Sequence, residues 1–157
     1  MSATARGAGG RRAAAVGRRP ADAALRGASA VVALVGLGIA GYLTAVHYSG
    51  GTPLCAISHG CETVQRSSYA ELAGIPVALL GLIGYAAILA SLARDSEAAR
   101  TATAFLSLAG FGFSAWLTYV EVARIDAICT WCVASAACMT LLAALSVARS
   151  LLGDRSG

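Results

Sequence analysis

The chain has 157 residues, 57% of them hydrophobic and 13% charged, with a formal net charge of +4 and a mean hydropathy of +0.70. That balance excludes an ordinary soluble domain, because so few polar side chains cannot cover so much apolar surface. It points to an all-α integral membrane protein, with four spans in so short a chain leaving no room for a separate soluble domain.

Residues 1–26, "MSATARGAGGRRAAAVGRRPADAALR", are mainly Ala, Gly and Arg. They carry almost no large apolar side chains and cannot bury a core, so a disordered basic tail is expected. A signal peptide fits less well, since the apolar stretch that follows is longer than an h-region of about 7 to 15 residues. The first span is expected over 27–48, broken by "SGGTP". A loop over 49–71 holds Cys55 and Cys61 in "CAISHGC". Spans two and three, at 72–93 and 101–120, contain Gly81, Gly84, Gly110 and Gly112 among other small residues, the composition that lets membrane helices pack closely. The fourth span, 127–148, opens on "CTWC", with Cys129 and Cys132; residues 149–157 form a second tail. A helix of about 22 residues runs about 33 Å, enough for a hydrocarbon core of about 30 Å.

All twelve basic residues are Arg. With a cytoplasmic amino terminus, Arg6, Arg11, Arg12, Arg18, Arg19, Arg26, Arg94, Arg100, Arg149 and Arg155 lie inside, and only Arg66 and Arg124 lie outside. The positive-inside rule therefore places both termini in the cytoplasm and the cysteine loops outside, in a plasma (bacterial inner) membrane. Topology accounts for the Arg excess without a nucleic-acid partner; the partner of the spans is membrane lipid.

Four cysteines thus fall on one face, where disulfides persist. For Cys55 and Cys61 a stabilising staple and a reactive pair are both open readings. The Cys-x-x-Cys pair favours exchange chemistry. At i and i+3 within a helix the Cβ atoms stand about 5 to 6 Å apart, against about 3.5 to 4.5 Å in a disulfide, so the bridge fits best at a helix end. There the free N–H groups and partial positive charge stabilise a thiolate, lowering the pKa of the more amino-terminal sulfur. A tetrahedral zinc site is the other use of four cysteines, but C-x5-C with C-x2-C departs from the usual spacing, and no metal is expected. A non-catalytic stapled or metal-binding membrane protein is the alternative reading. Cys138, inside span four, reads as a packing residue. His47 and His59 read as solvated, with His59 an acid or base candidate near Cys61. Glu121 and Asp126 read as charges flanking a loop.

The stretch "CAISHGCETVQRSSYAELAGIPVALLGLIGYAAILA", followed by "CTWCVASAACM", resembles the bacterial homologues of vitamin K epoxide reductase. The resemblance covers 27–148 and rests on Cys55, Cys61, Ser67, the "GIP" turn at Gly74, Ile75 and Pro76, and the Cys-x-x-Cys. It implies a four-transmembrane-helix bundle around a quinone site, capped by an outer loop and half-helix that "ETVQRSSYAEL" would form. It also implies that Cys129 and Cys132 are the active pair, Cys55 and Cys61 the shuttle pair, with Cys132 and Ser67 next to a quinone of the menaquinone or ubiquinone type. Electrons would come from a separate thioredoxin-fold, DsbA-like protein on the outer face, and the net result would be disulfide formation in exported proteins. A DsbB-type oxidase also has four spans and two cysteine pairs, but with the pairs in the opposite order.

Overall fold

The computed structural model describes residues 3–55, 60–94 and 96–154. Four long helices form a bundle: α1 (Ala3–Ser49), α3 (Val77–Leu92), α4 (Glu97–Val120) and α5 (Thr130–Asp154). A short helix, α2 (Gly60–Gln65), and a two-stranded hairpin, β1 (Glu71–Leu72) with β2 (Ile75–Pro76), fill the connection between α1 and α3. Three segments are long and apolar enough to cross a membrane: Pro20–Ser49, Glu97–Ile125 and Thr130–Leu152. The fourth, α3, is equally apolar but has only 16 residues, about 24 Å of helix.

Two of the sequence expectations shift. The helix begins at Ala3, where a disordered tail over 1–26 was expected. Ala and Arg rank among the best helix formers, and the end of this segment is held by its own side chains. The Asp22 carboxylate meets Arg100 at 3.0 Å and Arg149 at 3.2 Å, and Arg26 Nε donates to the Leu92 carbonyl at 2.7 Å. The second helix, expected over 72–93, starts only at Val77 because the hairpin intervenes. Ala73 and Gly74 both have positive φ, 53° and 80°, the pattern of a two-residue hairpin turn. The turn pairs Leu72 with Ile75 and Glu71 with Pro76, and Pro76 then has no N–H to continue the ladder. The half-helix expected over 62–72 is correspondingly cut to Gly60–Gln65.

At the other end of α3 the chain turns tightly. The Ser96 side chain accepts the Ala99 N–H at 3.2 Å, an N-cap that starts α4, with Glu97 in the favourable first turn. A π-helical turn, Glu121–Ile125, follows α4 and stops at Asp126, which is left-handed with φ 52°. The Ala127 N–H closes the turn on the Glu121 carbonyl at 3.2 Å.

In the bundle α1 packs on α3 and α5, and α4 packs on the same two. The core combines Ala33, Ile39, Ala40 and Leu43 of α1 with Tyr85, Ile88 and Leu92 of α3 and Cys138, Met139 and Leu142 of α5. Small residues make it possible. The Tyr85 ring lies flat against Gly36, in the place a Cβ there would take, and Gly110 receives the Met139 thioether, whose sulfur is 2.8 Å from a Cβ position there. Hydroxyl pairs Ser91–Thr103, at 2.7 Å, and Ser146–Ser107, at 3.2 Å, join neighbouring helices; such bonds in membranes are worth about 0.6 kcal/mol each. Large apolar side chains face outward, among them Val31, Leu34, Leu141 and Phe105, the last 70% exposed. In lipid that surface carries no cost.

The charge cluster makes a measurable prediction. Arg149 is 5% exposed, and Asp22→Ala strips it of its carboxylate, leaving an uncompensated buried cation. The thermal midpoint in detergent should fall by several degrees for Asp22→Ala. It should hardly move for Arg66→Ala, which breaks only the exposed Glu62–Arg66 pair, a contact worth under about 1 kcal/mol.

Candidate functional site

Cys129 is the residue before α5, and its carbonyl accepts the first intrahelical bond, from Val133 N–H at 3.0 Å. It is completely buried, while Cys132 in the first turn is half-buried. The two thiols are free and adjacent: the Cys132 thiol donates to Cys129 Sγ at 2.7 Å, and the Cys132 N–H points to the same sulfur at 3.3 Å. The bridge position at a helix start expected from the i, i+3 spacing is therefore the observed one. The Cys129 thiol is held below its ordinary value. The chief cause is the hydrogen bond from Cys132; the N–H groups of Cys132 and Trp131 add to it, against burial and the negative charge of Glu121.

Glu121 was read from sequence as a loop charge. It is instead 4% exposed, and its Oε2 accepts the Cys129 N–H at 3.0 Å. Glu121 keeps the α-helical register of α4, its N–H bonded to the Leu117 carbonyl, and the π turn that starts there redirects the chain so that the Cys129 N–H comes back to its carboxylate. Gln65 was also missed; its amide lies 3.8 Å from Cys132 Sγ.

Cys55 and Cys61 are joined in a disulfide with Cα atoms 6.2 Å apart. Cys61, on α2, is 1% exposed and belongs to one buried cluster with Val64 and Cys129, against which Cys55, Ile125, Trp131 and Cys132 pack. Gly60 allows this approach: a Cβ there would lie 2.6 Å from the Ile128 carbonyl oxygen. The other side of the loop is pinned by two aromatic residues. Trp131 Nε1 donates to the Leu54 carbonyl at 2.8 Å, the Leu54 N–H donates to the Tyr42 hydroxyl at 2.9 Å, and the two rings lie 5.1 Å apart. Tyr42 and Trp131 thus hold the residue next to Cys55.

Beneath the cysteines lies a cavity of about 280 Å³, whose wall includes Cys132, Glu121, Gln65, Tyr85 and Met139. Cys129 is not part of that wall. Gly81, Gly84 and Gly110 form part of it; Gly112 does not, and nothing lies within 4 Å of its Cβ position. Tyr85 directs its hydroxyl to the carbonyl and hydroxyl of Ser135, at 2.9 and 3.0 Å. Ser67 reaches the wall, but its hydroxyl donates to the Val64 carbonyl at 2.7 Å, closing the end of α2. Cys138 is buried in the bundle core, in the cluster against which Cys132 also packs. His47 faces Glu71 at 3.5 Å, and His59 lies outside the described residues. Among the described residues, no three His, Cys, Asp or Glu side chains come together in a way that could hold a metal ion.

The family model described as the vitamin K epoxide reductase family matches residues 28–147. The chain belongs to that family. No curated protein matches the sequence. The matched residues take in both cysteine pairs, the cavity, the whole of α3 and α4, α1 from residue 28 onward and α5 as far as residue 147. Membership in the vitamin K epoxide reductase family makes the chain a multi-pass membrane thiol–disulfide oxidoreductase, consistent with its one bonded and one free cysteine pair.

The packing of the two pairs can be tested directly. In a Cys55→Ala, Cys132→Ala variant, mild oxidation should join Cys61 to Cys129, read as a crosslinked peptide by mass spectrometry. Adding Gly60→Val, which pushes α2 off the Ile128 backbone, should reduce the yield of that crosslink at least tenfold.

Proposed function

We propose that this chain carries electrons from a reduced thioredoxin-fold protein through Cys55 and Cys61 to Cys129 and Cys132, and from there to a quinone. The single observation behind this reading is that the Cys129–Cys132 pair faces two ways. Cys129 packs with Cys61, and Cys132 opens on the cavity. A pair that only stapled loops would have no use for a sulfur on each side.

Burial orders the exchanges. Cys55 is half-buried and Cys61 fully buried, so an incoming thiolate attacks Cys55 and Cys61 leaves as thiolate. The partner's second thiol resolves the mixed disulfide, which leaves Cys55 and Cys61 reduced. Cys61 then attacks Cys129 of the Cys129–Cys132 disulfide and releases Cys132; Cys55 resolves that bond and the loop disulfide re-forms. The arrangement described above, with Cys55–Cys61 bonded and the active pair free, corresponds to the stage that follows. Cys129 is suited to its part because its stabilised thiolate is a good leaving group. For a two-electron couple, about 30 mV corresponds to about 1.4 kcal/mol, so modest differences in potential give the relay its direction.

The residues present fit a quinone of the menaquinone or ubiquinone type. The cavity volume of about 280 Å³ lies near the lower end of ligand sites, roughly 300 Å³, and suits a flat ring better than a bulky substrate. Gly81 and Gly84 leave open wall for the ring, while Gln65 and Tyr85 supply polar atoms at its edge; Ser67, whose own proton is engaged, offers an accepting oxygen. Closing the Cys129–Cys132 disulfide releases two electrons and two protons, which a quinone takes up as quinol. Val64, Leu43, Phe113 and Leu117 make the rest of that wall apolar.

Our reading extends to the whole membrane system. All four long helices span, α3 being the short one, with both termini cytoplasmic and the cysteines outside. The Arg distribution supports this sidedness, as does the position of Arg26, Arg100 and Arg149 at the end away from the cysteines. The oxidised partner then introduces disulfides into exported proteins.

Two variants test the relay. With a reduced thioredoxin-fold protein as donor and a short-chain quinone as acceptor, the parent should turn over and Cys132→Ala should not. Cys55→Ala should lose partner-driven turnover but still reduce quinone when a small dithiol is supplied to the active pair. A parent that reduces no quinone with any donor would overturn the reading.

A further inference from the structure

The relay above moves sulfur bonds and electrons but gives no carrier for the proton that must leave a buried thiol. The only carboxyl on the cavity wall among the described residues is Glu121. Its placement is costly: it sits in a π turn, a rare conformation that recurs at functional sites, and it is withdrawn from water. It sits beside both members of the active pair, accepting the Cys129 N–H at 3.0 Å and lining the same cavity wall as Cys132. An amide would serve the first contact equally well. Only an ionisable group can accept a proton from Cys132.

We infer that Glu121 takes the proton from the Cys132 thiol and passes it to the electron acceptor in the cavity. The inference rests on the proposed thiol-to-quinone reading and adds to it a catalytic residue. In balance, two S–H bonds break and one S–S bond forms, releasing two electrons and two protons. The Cys132 proton passes through Glu121 to one quinone oxygen. The Cys129 proton, given up to water when that thiol ionises, is balanced by one that water supplies to the other quinone oxygen. Glu121 ends each cycle as it began.

The groups able to compete are few. On its own turn and the loop after it, Arg124 and Asp126 are exposed. From α5 it is faced by Cys129 and Cys132; from α2 comes Cys61, which is tied in its disulfide. Tyr69 and Tyr85 line the same cavity, and Tyr85 is engaged with Ser135.

The test compares the parent with Glu121→Gln and Glu121→Asp in detergent. Gln preserves the acceptor for the Cys129 N–H and removes the proton site; Asp keeps a carboxyl. The first readout needs no quinone: the rate of Cys132 alkylation by iodoacetamide in reduced protein is followed against pH, with the modified cysteine assigned by fragment masses. The parent and the Asp variant should show a step at acidic pH that the Gln variant lacks. The second readout is single-turnover quinol formation from pre-reduced protein, which should fall about a hundredfold in the Gln variant, the usual scale of general acid–base catalysis, while thiol exchange with the donor stays intact. Overlapping alkylation profiles with quinol formation within twofold of the parent would overturn the role of Glu121. A parent unable to reduce quinone would instead remove the proposed function, and the alkylation profiles would still decide whether Glu121 handles the thiol proton. Should the Gln variant fail to fold, an Asp variant without the acidic step would overturn it as well.

Discussion

A helix amino terminus placed under a sealed loop sets the terms for the rest of this molecule. The free N–H groups at the start of α5 need an acceptor, and the Cys129 sulfur and the Glu121 carboxylate provide it. Because the helix begins there, Cys129 and Cys132 meet on one face of its first turn, with Cys129 buried against α2 and Cys132 also reaching the cavity. Every contact that matters for the chemistry is arranged around that point. Gly60 lets α2 approach, Trp131 and Tyr42 hold the loop, and the end of α4 delivers the carboxyl.

How much of this could be read beforehand depends on the range of the signal. The four apolar stretches, the Arg asymmetry and the pairing of short-spaced cysteines are local or compositional, and each was visible from residue types alone. The 1–26 tail was misjudged because composition records what a segment can bury and not what can grip it; Asp22 and Arg26 find their partners on α3, α4 and α5. The start of α3 was placed too early because Leu72 to Pro76 are as apolar as a span, while the positive φ at Ala73 lies on a residue that gives no warning of it. Gly74 and Pro76 were recognised as a turn, but not as the end of a hairpin.

Glu121 shows the limit most clearly. An acidic residue after 20 uncharged ones is where a chain leaves the membrane in nearly every sequence, and nothing in the letters announces a π turn. Only the fold reveals that this charge points inward. The signal that could have raised the suspicion is its distance from the thiols: a carboxyl eight residues ahead of Cys129, with a loop too short to carry it away from the start of α5.

The Asp22 cluster has a consequence for how such a chain is made. Asp22 precedes Arg149 by 127 residues, so during synthesis the carboxylate leaves the ribosome long before its buried partner exists. Arg100 of α4, made earlier, can meet that carboxylate before Arg149 arrives with the last helix. Arg149 closes that contact only once α5 is made, so the charge contact at one end of α5 and the Cys129–Cys132 pair at the other are completed by the same helix.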